Sequence, residues 1–219
     1  PRFRLPAEMV RDQALFAGGL LVERVGGPSV KPLQPPGLWE EVSVNRSATY
    51  VPDSGDGLRR RSLYTFWKRT CPPPALAVFD APDREFCVVR RNRTSTPLQA
   101  LVLMNDPTYL DAARGLVLRA VSLIDRGGAS PGDPVGRDRE IIAQACRLVL
   151  ARDAAPREID LLWQKLQDFR RHFQGDVEAA RRLVAADDSR DSPLPPVELA
   201  AWTMVGSTLL CFDETISKN

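Results

Sequence analysis

The sequence has a single histidine, His172, so a catalytic or metal centre built on several imidazoles is excluded within its 219 residues. Its four cysteines, Cys71, Cys87, Cys146 and Cys211, never form C-x-x-C, which removes zinc ribbons, thioredoxin-type redox pairs and c-type haem attachment. There is no G-x-S-x-G, and neither Ser62 nor Thr65 has a histidine near it in sequence. No stretch approaches the roughly 18 to 20 uninterrupted apolar residues of a membrane span. The N-terminus also lacks the basic start and apolar core of an export signal. Charge of one sign is scarce too: 30 Lys and Arg against 28 Asp and Glu leave +2, so the chain as a whole is no polyanion binder. With 43% hydrophobic and 26% charged residues the composition is that of an ordinary globular protein, long enough to bury a core without disulfides. The opening Pro1-Arg2-Phe3 has no initiator Met and enters a helical pattern at once, which reads as a piece of a longer protein.

What is present is helix periodicity punctuated by proline. Met9, Val10, Ala14 and Ala17 recur at helical spacing from Leu5 to Ala17, ending at Gly18-Gly19. Gly26 to Gly37 carries too many breakers for regular structure and is expected as an extended surface arm, while Leu38 to Tyr50 has unsettled helix or strand potential. Leu63, Phe66 and Trp67 are spaced as one face of a short helix over Arg59 to Thr70, with a strand as the weaker alternative. Cys71-Pro72-Pro73-Pro74 should stop it, and Ala75 to Thr94 is expected as a long ordered loop. Thr96-Pro97-Leu98-Gln99 is a helix start in which the threonine would cap the Gln99 amide and the Gln99 side chain would reach back. Asp106-Pro107 opens a second helix after a corner at Asn105, with Leu110, Ala113, Val117, Val121 and Ile124 on one stripe. Gly127 to Gly136 is the best internal boundary. Beyond it the pattern predicts two helices on Ile141 to Val149 and Ile159 to Phe173, and a short one around Val177 to Val184. A final helix would bury Val197, Ala201, Met204, Val205, Thr208 and Phe212. The fold class is therefore mainly α: an irregular helical domain with a long Pro/Arg-rich loop region and a C-terminal helical hairpin or bundle. Residues 1–126 form its N-terminal part and 137–219 a C-terminal part packed on it.

The charge is unevenly spread. Arg59 to Arg93 holds nine basic residues against three acidic ones, a local excess of six in a chain whose total is +2. Arginine forks pair bidentately with carboxylate, sulfate or phosphate, so Arg60, Arg61, Arg69, Arg90 and Arg91 are anion-binding candidates. The plainer reading, which weighs more, pairs some of these arginines with Asp80, Asp83, Asp106 and backbone carbonyls to hold the loop on the helices. Nucleic acid is disfavoured, because one basic segment without a binding motif is a weak signal. Asn105, Asp106, Asp80 and Glu85 lack the spacing of a calcium loop, and no metal ligands or catalytic residues are nominated. His172 reads as a partly exposed helix-end residue. Trp39, Trp67, Trp163 and Trp202 read as core anchors unless Trp39 stands exposed on the arm. Cys146 and Cys211 read as buried free thiols, whereas Cys71 and Cys87 flank a Pro-rich turn and are placed to pair if the compartment oxidises.

Several segments taken in order resemble one family over most of the chain. They are Arg4-Leu-Pro-Ala-Glu-Met-Val-Arg-Asp12, Gly26-Gly-Pro-Ser-Val30, Arg60 to Thr70, Phe79-Asp-Ala-Pro82 with Arg84, Arg90-Arg91, Thr96 to Leu101, Leu103-Met-Asn-Asp-Pro107 and Phe212-Asp-Glu214. The pattern is similar to the planctomycete C-terminal domain of unknown function numbered fifteen fifty-three. That resemblance implies an exported parent protein in which this domain follows a cytochrome-c-like domain, so haem is implied only upstream and no cofactor belongs to this chain. Its implied partners are the upstream domains of the same polypeptide. Export also strengthens the Cys71 and Cys87 pairing. Cys211 stands where the family often has Asn, and Ala155 where it has a capping residue. The leading expectation is a non-catalytic scaffold or recognition module in which Asp80, Thr96, Gln99, Asn105 and Asp106 are structural. The competing one is an extracellular polysaccharide-degrading enzyme whose arginine cluster binds sulfated or carboxylated glycan.

Overall fold

The computed structural model describes residues 3–127, 133–185 and 192–218. Chain order runs from a two-residue strand β1 (Phe3–Arg4) through α1 (Ala7–Ala17), α2 (Leu38–Glu41), α3 (Pro74–Val78), α4 (Pro97–Asn105), α5 (Pro107–Arg126) and α6 (Pro134–Leu150). It continues through α7 (Pro156–Gly175), α8 (Val177–Val184), α9 (Pro196–Leu210) and α10 (Asp213–Ile216) to β2 (Ser217–Lys218). Six of these helices begin on proline, whose ring pre-sets a helical φ and whose missing N–H falls where no intrahelical partner exists. Acidic caps complete three starts: Asp106 accepts from Thr108 N–H, Asp133 from Gly136 N–H and Asp176 from Ala179 N–H. At α7 only half of a capping box forms, Ala155 N–H donating to Glu158 Oε2 at 2.7 Å, because alanine has nothing to accept with. β1 and β2 pair antiparallel, Phe3 opposite Lys218, and so tie the two ends of the described chain together.

Helix α5 packs against α1, α6 and α9, and α9 in turn against α7 and α8. One continuous core runs from Ala7 to Ile216 through helices on both sides of the Gly127 to Gly136 boundary, of which residues 128–132 lie outside the described residues. Close approach of α9 to α5 depends on Gly206, where a Cβ would meet the Ala113 carbonyl oxygen at 2.5 Å. Trp202 of α9 is 2% exposed and donates its indole N–H to Glu198, which with Asp138 holds Arg170 of α7. Three helices are thereby joined by one satisfied polar network inside an apolar bundle.

Three expectations are corrected. Arg59 to Thr70 is neither helix nor strand but two 3-10 turns, Gly55–Arg59 and Ser62–Tyr64, with isolated bridges Val22 to Arg60 and Val30 to Thr65. Tertiary partners have taken the backbone groups that a helix would need: Arg11 of α1 donates to the carbonyls of Leu58 and Arg60, while Asp12 accepts the Ser62 N–H. Leu63, expected on a buried face, is exposed. Within Ala75 to Thr94 the first turn is helical, as α3, because the third proline of the run starts a helix instead of blocking one. In α9 the expected stripe is borne out at Ala201 and Val205, which are fully buried, but its other members are not the most enclosed positions. Val197, Met204 and Thr208 are half-buried, whereas Ala200, Trp202, Thr203, Gly206, Ser207 and Leu209 are fully enclosed. A helix buried all round has no polar face from which periodicity can be read.

Of the tryptophans, Trp202 is in the core and Trp67 and Trp163 are half-buried against it. Trp39 sits on the arm, half-buried, edge-on to Tyr50 and with Lys68 Nζ 4.6 Å above its ring. All four thiols are free; Cys146 is buried and Cys211 half-buried, and burial pushes both up to about 11. Cys71 is half-buried and Cys87 exposed.

Candidate functional site

The basic segment divides into arginines that face the protein and arginines that face a pocket. Arg60 is wholly buried: its guanidinium donates to the carbonyls of Arg24, Gly26 and Pro28 and lies 3.9 Å over the Tyr64 ring. Burying a cation is tolerable when carbonyls replace its water, and here they fix the glycine-rich turn of the arm in place. Arg59 pairs with Asp111 at 2.9 Å, and the half-exposed Arg61 lies 3.7 Å from Asp12. Arg69 is exposed and stands apart from the pocket. The five candidates therefore do not converge.

The other set is organised by a loop that closes on itself between residues 80 and 94. Asp80 takes φ +62°, a left-handed conformation that Asp reaches at low cost, and its carboxylate accepts both the N–H (2.7 Å) and the hydroxyl of Thr94. Trp67 pins the outer part, donating its indole N–H to Asp83 O at 3.0 Å while Arg84 lies 4.7 Å over its ring. Arg91 ties the loop to α1 through a two-pronged contact with Glu8, at 3.0 and 2.8 Å.

Gln99 is the hub beneath this loop, and its role is not the one the sequence suggested. Thr96 occupies the N-cap position of α4 without a side-chain cap hydrogen bond, so no capping box forms. Gln99, 1% exposed, turns inward: Nε2 donates to Val78 O at 2.9 Å and to Thr94 Oγ1 at 3.2 Å, and Oε1 accepts from Arg4 at 2.5 Å. One amide thereby joins β1, the end of α3, the loop and α4, with every polar atom matched. The Arg4 guanidinium, lowered from its ordinary value by burial and pulled back up by the charge of Asp80, is held at the mouth.

The result is a pocket of about 310 Å³ bordered by Arg4, Arg90, Arg91, Arg93, Asn92 and Asp80. Arg4 and Arg91 are held by the protein, while Arg90 and Arg93 are exposed and have no hydrogen-bond or ion-pair partner among the described residues. Arg4 and Arg93 complete the site although the sequence reading did not nominate them. Arg4 lies 95 positions before Gln99, and their contact brings it to the loop.

A second, larger cleft of about 600 Å³ lies between the proline arm, α3 and the α4 to α5 corner. Asp106 caps α5 there, and burial raises its carboxyl despite the Thr108 N–H that favours its charged form. Asn105 donates to Leu101 O at 2.8 Å and also lines this cleft. Burial and Asp53 push the Tyr50 hydroxyl up to about 12, and burial with Asp106 raises Tyr109. His172 is exposed and packs edge-on to Phe173 at 5.1 Å. Among the described residues no group of three or more His, Cys, Asp or Glu could hold a metal ion, and no helix is long and apolar enough to cross a membrane.

A family model, PSD1, described as a protein of unknown function (DUF1553), matches residues 1–166. No curated protein and no solved structure matches the chain.

Proposed function

Since the chain belongs to the DUF1553 family, whose function is unknown, we propose from its own geometry that it is a non-catalytic recognition module taking an anionic group into the arginine pocket. The observation carrying this reading is that Arg90 and Arg93 are left with unused donors beside two arginines already fixed in position by Gln99 and Glu8. Pre-set guanidinium forks lose little freedom when they clasp a carboxylate or sulfate, and Asn92 adds a neutral amide at the same edge. Asp80 offsets only part of this charge, one carboxylate against four guanidinium groups, and its oxygens are turned to Thr94. Polysaccharide bearing sulfate or uronate groups is the ligand class we propose. The exported setting, with haem in an upstream domain and that domain as a partner, is part of the same proposal.

The test is binding of dextran sulfate and polygalacturonate to the whole chain, measured by calorimetry across a salt series. Arg90→Ala with Arg93→Ala should weaken binding by about tenfold or more, while Arg61→Ala with Arg69→Ala should change it by no more than about twofold. Binding that survives the first pair, or that falls equally in both, removes the assigned site.

A further inference from the structure

The larger cleft shares no lining residue with the arginine pocket and is built quite differently. Its volume of about 600 Å³ falls within the range of small-molecule sites. Six prolines form much of its wall: Pro32, Pro35 and Pro36 from the arm, Pro73 and Pro74 at the start of α3, and Pro107 at the start of α5. Proline rings have no rotamers with which to fold inward, so such a wall keeps an open slot open. Their ring faces offer flat, rigid apolar surfaces of the kind that polyproline segments press against aromatic rings. Tyr50 and Tyr109 add aromatic surface to the same slot.

The polar groups decide what a guest must carry. Thr65 is 5% exposed, lines the cleft, and its buried Oγ1 has no hydrogen-bond partner. The Tyr109 hydroxyl also has none among the described residues, although the residue is 1% exposed. A buried hydroxyl left unmatched is costly, and Thr65 Oγ1 at the wall of this cleft points to a ligand that supplies the match. Arg11 borders the cleft, but its guanidinium is spent on Leu58 O, Arg60 O and Ser62 Oγ. The Asp106 carboxylate has one oxygen on Thr108 N–H and further lone pairs to offer. A guest with a negative charge would meet that carboxylate, while the Arg11 guanidinium, though charged, is turned toward Leu58, Arg60 and Ser62. A guest with a hydroxyl or amine would find acceptors.

We infer that this cleft binds a small aromatic molecule bearing a hydrogen-bond donor, its rings between the proline walls and its donor toward Asp106, Tyr109 and Thr65. The inference is independent of the anion-pocket reading.

Naphthol, its methyl ether and naphthoate test it on the whole chain, by calorimetry and by proton resonances of the Tyr50 and Tyr109 rings. Naphthol should bind saturably with one site, tighter than about 1 mM, and shift both tyrosine rings. The methyl ether, which lacks the donor, should bind about tenfold more weakly, and naphthoate weaker still. Leu101→Trp, at a wall position that is already half in solvent, should fill the slot and abolish naphthol binding. Asp106→Asn keeps the helix cap and should remove the discrimination against naphthoate. The inference is overturned if naphthol does not saturate, if the three compounds bind equally, or if naphthol moves resonances elsewhere and leaves the two tyrosines unchanged. The resonance readout on the unmodified chain decides the matter even if Leu101→Trp perturbs the fold.

Discussion

Gln99→Ala and Thr96→Ala separate two accounts of the α4 start by opposite amounts. Were the capping box real, removing the Thr96 hydroxyl would cost about 1 kcal/mol and removing the Gln99 side chain a similar or smaller amount. In the structure Thr96 makes no side-chain cap hydrogen bond, so Thr96→Ala should cost less than about 0.5 kcal/mol. Gln99 holds two neutral hydrogen bonds and one to a guanidinium, and its loss strands the Val78 carbonyl and opens a void in the interior. At about 1 kcal/mol for each neutral bond and somewhat more for the charged one, the sum is about 3 to 4 kcal/mol. For a chain of this length that corresponds to a fall in Tm of roughly 6 to 16 °C. Urea denaturation of both variants, with amide hydrogen exchange over residues 80–94, measures it. Gln99→Ala should also raise exchange at the Thr94 amide, because the loop loses the hydroxyl's second partner. Equal costs for the two variants, or a larger cost for Thr96→Ala, would refute the hub.

Four other outcomes are expected. Gly206→Ala should destabilise by about 1 to 3 kcal/mol in thermal unfolding, since its Cβ would press on the Ala113 carbonyl, which is backbone and cannot step aside. Gly175→Ala, where nothing lies within 4 Å at the end of α7, should be neutral or stabilise by about 0.5 to 1 kcal/mol. Arg170→Ala should cost about 2 to 3 kcal/mol, because the buried Asp138 and the half-buried Glu198 are left without their cation; Arg170→Lys should recover only part of it in the same denaturation assay. Glu158 is held near 2, well below its ordinary 4.5, first by the Arg152 hydrogen bond and then by the Ala155 N–H. A carboxyl lowered by folding stabilises above its unfolded value and loses that contribution as pH falls from 4.5 toward 2, so acid titration of Glu158→Gln should show a flatter decline across that window. The difference should be under about one pH unit in the acid midpoint, since the pair is open to solvent.

The fold class and most helices were legible because local chemistry states them. Proline at a first helical turn, aspartate at Asp106 and apolar spacing along α5 to α7 are properties of neighbours in the chain, and those helices lie where the spacing puts them. Misreadings occurred where distant residues outbid local ones. The Arg59 to Thr70 stretch has helical spacing, yet its carbonyls and amides are claimed by Arg11, Asp12 and Val22. α9 carries apolar residues on every side because it lies inside the bundle, so no stripe could announce which edge is outermost.

The sequence by itself determined a helical protein with an uneven charge, a basic central segment and too few histidines for a centre built on several imidazoles. Only the tertiary structure decided where the side chains of the basic segment go. Guanidinium groups adjacent in sequence point to different places: Arg60 into the arm's carbonyls and Arg61 toward Asp12. Arg4, far away in sequence, is delivered to Arg90 and Arg93 by a single buried glutamine. The reason is physical. An arginine's net charge is written in the sequence, but its partner is set by which acceptors lie within 3 Å or so, and that distance exists only after the chain has folded.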